Sequence, residues 1–159
     1  MNPSPYLGKS WVEAVICEAQ DRDIPQLSEL VSQLGYPAEP EALKQRLNKL
    51  QEHEDYRTLV AECSGRVLGM MALHRERPLL RDQPEVQVMA LVVSQESRGS
   101  GVGGRLLQAA EEWAAELGAF CVKLNSGNRE ERMAAHRFYL NQGYAAGSTG
   151  FARRIEDQK

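Results

Sequence analysis

No stretch of this 159-residue chain approaches the ~20 consecutive apolar residues that a membrane-crossing helix needs. The opening residues, Met1 to Lys9, carry Pro3 and Pro5 and lack the apolar centre of a secretion signal, so a cytosolic protein is expected. Cysteine is scarce: Cys17, Cys63 and Cys121 fit no metal-ligand spacing, and an odd number argues against a disulfide framework. Each lies in an apolar, strand-like run and reads as a small buried hydrophobe. Positive charge is also in short supply. A net charge of −3 argues against general binding to nucleic acid or anionic membranes. Repeats, low-complexity tracts and linkers are missing, which leaves one domain over residues 1–159, with 1–10 as a loose N-terminal segment.

What is present is ordinary globular material, 42% apolar and 26% charged. The charge is uneven. Residues 18–55 hold nine acids against four bases, five net negative charges and more than the whole chain carries.

The hydrophobic periodicity predicts an order of elements. Val12 to Ala19 reads as a strand. Asp21 to Leu34 reads as a helix, with Ile24, Leu27, Val31 and Leu34 on one face and Gly35 as its stop. A second helix, Pro40 to Glu52, places Leu43, Leu47 and Leu50 together. Tyr56 to Glu62 and Val67 to Leu73 form a hairpin around Ser64-Gly65. Val86 to Val93 is almost continuously apolar and reads as a central strand buried on both faces. Then come a helix from Gly101 to Leu117, a strand from Phe120 to Leu124, and a helix from Glu130 to Gln142 closed by Gly143. Two short strands, near Tyr144 and at Phe151 to Ile155, finish the chain. The expected fold class is α/β (α+β): one mixed, mostly antiparallel sheet of 6–7 strands with about four helices on its faces.

The densest chemical signal is Arg98-Gly99-Ser100-Gly101-Val102-Gly103-Gly104, between a strand and a helix. Glycines let successive backbone N–H groups converge, and the helix beginning there adds the positive end of its dipole. Such a turn suits a phosphate or pyrophosphate. A Walker loop would need Lys-Ser/Thr after the last glycine, and Arg105-Leu106 stands there instead. Gly99, Gly101 and Gly104 match the dinucleotide pattern literally, but its acidic residue about 20 positions on is missing, because the next strand ends Lys123-Leu124-Asn125.

The third reading fits. Val93 to Leu107, with its Arg98-x-x-Gly101-x-Gly103 core, resembles the coenzyme A loop of the GNAT superfamily of N-acetyltransferases. A second block, Arg132-x-x-Ala135-His136-x-Phe138-Tyr139 followed by Gly143-Tyr144, resembles the helix and following segment that close the acetyl-CoA site there. The resemblance implies a GNAT-like fold with acetyl-CoA as cosubstrate and an amine as acceptor, and no metal. It implies that backbone N–H groups of Arg98, Gly99, Ser100, Gly101, Val102 and Gly103 hold the pyrophosphate. The strand end at Leu91, Val92 and Val93 would splay open, pair with the pantetheine arm and polarise the acetyl carbonyl. Asn125 and Asn128 are implied contacts of the pantetheine amides, and Arg132 of the phosphates.

Amine attack on a thioester requires a deprotonated amine, a polarised carbonyl and a protonated or stabilised leaving thiolate. Tyr139 is the implied general acid. Glu85, at the start of the apolar strand and thirteen residues before Arg98, matches a catalytic glutamate of the histone-acetylating branch. It reads equally as a solvated loop carboxylate, with ordered water as the base. His136 is expected to pack and hydrogen-bond around the last helix, and His53 and His74 stand isolated in the sequence. The acidic segment 18–55 favours a cationic acceptor such as a polyamine, an aminoglycoside-like sugar or lysine; a merely solvated acidic face explains it as well. The second block favours a small amine over a protein. A non-catalytic acyl-CoA sensor is the rival from another class, and a homodimer is a family expectation.

Overall fold

The computed structural model describes residues 13–128 and 130–155. The chain divides into two compact units, Met1–Leu124 and Asn125–Lys159. The expected loose segment 1–10, and Val12 at the expected start of the first strand, lie outside the described residues.

The first unit holds one sheet of five strands in the order β1 (Val15–Glu18), β2 (Tyr56–Cys63), β3 (Arg66–Glu76), β4 (Glu85–Val93) and β5 (Val122–Leu124). The first four run antiparallel, and β5 pairs parallel to β4. A parallel partner requires a crossover, here α3 (Val102–Glu116). Between β1 and β2 lie α1 (Ile24–Leu34) and α2 (Pro40–Gln51).

Local chemistry accounts for these boundaries. A 3₁₀ turn at Asp21–Asp23 precedes α1, and the Asp23 carboxylate accepts the Gln20 N–H at 2.8 Å. Pro25 and Pro40 sit in the first turns of α1 and α2, where a missing N–H costs nothing. Helices α1 and α3 end in the same device. Gly35 and Gly118 take positive φ, and the following residues, Tyr36 and Ala119, return N–H bonds to Val31 and Ala114 at 2.9 and 2.8 Å.

Two apolar layers sandwich the sheet. On one face Ile24, Leu27, Leu30, Val31 and Leu47 pack over Val60, Val67, Met70 and Val92. On the other, α3 presses buried Val102, Leu106, Leu107, Ala110 and Trp113 toward the sheet. Gly69 makes that approach possible. A Cβ there would sit 3.0 Å from the Val92 carbonyl oxygen, 3.2 Å from Leu106 Cδ1 and 3.3 Å from Val102 Cγ1.

The second unit carries a 3₁₀ turn at Glu130–Arg132 and α4 (Met133–Asn141). The strands expected near Tyr144 and at Phe151 to Ile155 are not formed: among the described residues that stretch pairs with no strand. Gly147 and Gly150 interrupt it, and glycine weakens a strand. Phe151 and Ile155 stay 93% and 83% exposed, with no sheet face to bury them.

Two further expectations need correcting. Strand β4 is not buried on both faces. Val86, Val88 and Val92 are buried whereas Met89 is 41% exposed, because β5 flanks only its first residues. The three cysteines are free but half-buried rather than core residues, and burial raises the thiol pKa of Cys17 and Cys121.

Candidate active site

Two irregularities shape β4. Ala72 pairs with Ala90 and Leu73 with Val88, so Met89 is an extra residue, a β-bulge. On its other side β4 pairs with β5 only through Val86, Gln87 and Val88, opposite Val122, Lys123 and Leu124. From Met89 to Val93 no described strand lies on that side. The end of β4 that contains Leu91, Val92 and Val93 therefore presents a row of peptide groups, a template on which an extended amide chain can pair.

The chain leaves that edge through a serine-pinned turn. The Ser94 N–H donates to Leu68 O at 2.8 Å, and the Ser97 N–H to Ser94 O at 2.9 Å. The Ser94 and Ser97 hydroxyls bond each other at 2.9 Å inside the protein, and the Ser100 hydroxyl donates to Ser97 O. Ser97 is fully buried. Outside this turn, the Gln33 side-chain oxygen of α1 accepts the Gln95 N–H at 3.0 Å. Sequence reasoning missed this scaffold; the i, i+3 serine spacing 94-97-100 was its only visible signal.

Next comes the glycine turn. Gly99 and Gly101 take φ of 78° and 89°, the left-handed region where a Cβ is strained. Arg98 and Gly99 are exposed, whereas Val102 and Gly103 are buried at the start of α3. The first N–H of α3 to find a helical acceptor is that of Arg105, bonded to Gly101 O at 3.1 Å. The N–H groups ahead of it, Val102, Gly103 and Gly104, have no intrahelical partner and stand at the positive end of the dipole. This turn and the open edge of β4 are contiguous. The residues fit a ligand that joins a pyrophosphate to an extended amide-bearing arm.

The second unit holds Asn125, Asn128, Arg132 and Tyr139. Both asparagines are exposed, and Arg132 and Tyr139 are half-buried. The end of α4 repeats the glycine-capped stop. Gly143 takes φ of 90°, its N–H donates to Leu140 O at 3.1 Å, and the Tyr144 N–H reaches Tyr139 O at 3.0 Å. The Tyr144 ring is thereby brought edge-on to the Tyr139 ring, at 6.4 Å. Burial pushes the Tyr139 phenol above its ordinary pKa, an effect that the nearby Arg132 charge opposes. His136 hydrogen-bonds the Gly127 carbonyl at 2.8 Å, a structural setting.

A profile of the acetyltransferase (GNAT) family matches residues 24–144, which include the open strand, the glycine turn and α4. This chain belongs to that family. It is 32% identical over 144 residues to an aminoalkylphosphonate N-acetyltransferase of Salmonella typhimurium, covering 91% of this chain and 83% of the relative. A GNAT family acetyltransferase structure from Staphylococcus aureus is 28% identical with a TM-score of 0.77, over 89% of this chain and 98% of that one. The crystal structure of a transcriptional regulator from Bacillus halodurans shares the fold, with a TM-score of 0.82 at 20% identity, over 90% of this chain and all of that one. The protein is an N-acetyltransferase, and its single mixed sheet is the GNAT sheet.

Glu85, the sequence candidate for a base, lies at the far end of β4, six residues from Leu91 or roughly 20 Å along a strand. Its carboxylate is 2.7 Å from Lys123 Nζ and 3.9 Å from Arg81 Nε. Lys123 also contacts Glu76 at 2.6 Å, and these two carboxylates raise its pKa. His74 is not isolated: its ring stacks on Tyr56 with centroids 4.5 Å apart and planes 18° from parallel.

The acidic segment is less open than counting implied. Glu18 pairs with Arg57 at 2.8 Å and Asp55 with Arg75 at 2.7 Å. Asp23 is spent on its turn. The neutralising arginines come from β2 and β3, outside the counted segment. Among the described residues, no helix is long and apolar enough to cross a membrane.

Proposed function

We propose that residues 1–159 act as one cytosolic acetyltransferase domain that transfers the acetyl group of acetyl-CoA to a small primary amine by direct attack on the thioester. The observation that carries this reading is the continuity of a strand edge, Met89 to Val93, that no described strand covers, with a positive-φ glycine turn opening α3. The turn from Arg98 to Gly103 holds the pyrophosphate. The backbone of Leu91, Val92 and Val93 pairs with the pantetheine arm and donates an N–H to the acetyl carbonyl, where negative charge develops. Asn125 and Asn128 contact the arm's amides, and Arg132 the phosphates.

Tyr139 donates its phenolic proton, or a hydrogen bond from it, to the thiolate as the C–S bond breaks. Its raised pKa keeps that proton in place throughout the neutral range. The sequence leaves the base open between Glu85 and an ordered water, and no step above assigns it. A homodimer is the family expectation, read directly by sedimentation.

The Salmonella relative is named for aminoalkylphosphonates, so the first acceptor panel holds aminoethylphosphonate, spermidine, an aminoglycoside and a lysine peptide. The test is release of CoA thiol from acetyl-CoA, with the acetylated amine identified by mass. Turnover of one or more of the non-peptide amines is expected. Turnover of the peptide alone would overturn the small-molecule assignment. Acetyl-CoA binding with no turnover of any amine would favour the sensor.

A further inference from the structure

On the sheet face covered by α1 and α2, the apolar rows give way to a polar ledge that none of the steps above uses. Val60, Met70 and Val92 lie beneath the helices. The next row is Thr58, Ala72 and Ala90, and the row after it is Tyr56, His74, Gln87 and Lys123, each registered against its neighbour. Glu76 and Glu85 oppose each other one row further out. Side chains alternate along a strand, and the Met89 bulge resets the alternation of β4, so Gln87 joins this face and not that of Val88. The contacts agree. Tyr56 stacks on His74, and Lys123 Nζ joins Glu76 and Glu85 at 2.6 and 2.7 Å.

We propose that His74 is the group that receives the acceptor's proton, directly or through one water. This rests on the acetyltransferase reading and completes its base. Leu91, at the open end of β4, pairs with Met71. His74 lies three residues from Met71, about 10 Å along β3, whereas Glu85 sits opposite Glu76, five residues out and about 17 Å away. Glu76 and Glu85 are both engaged by Lys123, and a carboxylate of ordinary pKa about 4.3 is a weak proton acceptor at neutral pH. An imidazole of ordinary pKa about 6.5 is suited to the task.

Asp55, ahead of β2, and Glu76, on its own strand, both lie within electrostatic reach of the ring. Lys123 is shared between Glu76 and Glu85, while Arg75 and Arg77 are drawn to Asp55. The His53 ring lies tilted 6.2 Å from the Tyr56 ring. Among the described residues, no ion pair links a charged side chain of α1 or α2 to the ledge.

In the step, an N–H bond of the acceptor's ammonium breaks and its proton passes to the neutral imidazole. The freed lone pair forms the C–N bond, the C–S bond breaks and the thiolate takes the Tyr139 proton. The acylated nitrogen then gives up its second proton to leave the neutral amide; that proton restores the phenol, and the imidazolium returns its own to solvent.

The experiment compares wild type, His74→Asn, His74→Gln and Glu85→Gln, using acetyl-CoA and the best amine of the panel. It measures kcat against pH, the acetyl-CoA dissociation constant and the unfolding midpoint. Wild-type kcat is expected to fall below an inflection near the imidazole range. Both His74 variants lose that inflection and about 100-fold in kcat at neutral pH, regain part of it with added imidazole, and keep the wild-type dissociation constant and midpoint. An unshifted inflection in both His74 variants, or its loss in Glu85→Gln instead, overturns the assignment. No turnover by wild type with any amine removes the acetyltransferase reading and the base with it, whereas an active wild type with unaffected His74 variants removes the base alone.

Discussion

Tyr139 owes its setting to the way its helix ends. Gly143 in the left-handed region turns the chain back so that the Tyr144 N–H caps the Tyr139 carbonyl and the two rings meet at 6.4 Å. The proposed acid is thus set by one glycine and by the rings of Phe138 and Tyr144. Burial raises its pKa, so its proton is retained at neutral pH and lost only above the ordinary value of about 10. The Tyr139→Phe variant, which keeps the ring and removes the hydroxyl, is expected to lose about 100-fold in kcat while its acetyl-CoA dissociation constant holds. Stopped-flow turnover and calorimetric binding separate the two quantities, and an undiminished kcat would remove the role. Tyr139 was legible because it stands in a motif. His74 was not, since a lone histidine in a strand acquires meaning only from the residues opposite it, Tyr56 and Gln87.

At the scale of elements, the helices were the most readable. Ile24, Leu27 and Val31 repeat at helical spacing with a glycine stop, and all three are buried on one face of α1. The hairpin at Ser64-Gly65 was equally plain, since its two residues take the positive φ such a turn requires. The open edge of β4 left no local trace. It depends on where β5 stops and on the Met89 bulge, and pairing register is a property of two strands rather than of one. The final strands failed because glycine-broken segments with alternating apolar residues resemble strands without having a sheet to join.

Gly69 tests how tightly β3, β4 and α3 are held together. In most strand positions alanine stabilises relative to glycine. Here the added Cβ meets the Val92 carbonyl and two α3 side chains, so Gly69→Ala is expected to destabilise the fold by about 1–3 kcal/mol. Denaturant unfolding measures this. A variant as stable as the parent would mean that α3 can move off the sheet without cost.

At the scale of the whole molecule, charge proved the poorest guide. The segment 18–55 is acidic by count, yet Glu18 and Asp55 are answered by arginines contributed from β2 and β3. A cationic acceptor therefore gains little support from the count. The family was legible because two motifs in fixed order bracket the same chemistry, and the family profile covers both. The proposed function rests on one ligand geometry, a pyrophosphate at the glycine turn and an amide arm along β4.

That geometry can be tested before any acceptor is known, by the shift in thermal unfolding midpoint on adding acetyl-CoA, with NAD(H) and ATP as controls. At 100 times its dissociation constant a ligand stabilises the folded state by about 2.7 kcal/mol, a shift of several degrees in a domain of this size. The expected result is a rise with acetyl-CoA and none with the other two. A rise with NAD(H) or ATP and not with acetyl-CoA, or no rise at all, would contradict the coenzyme site and with it the proposed reaction.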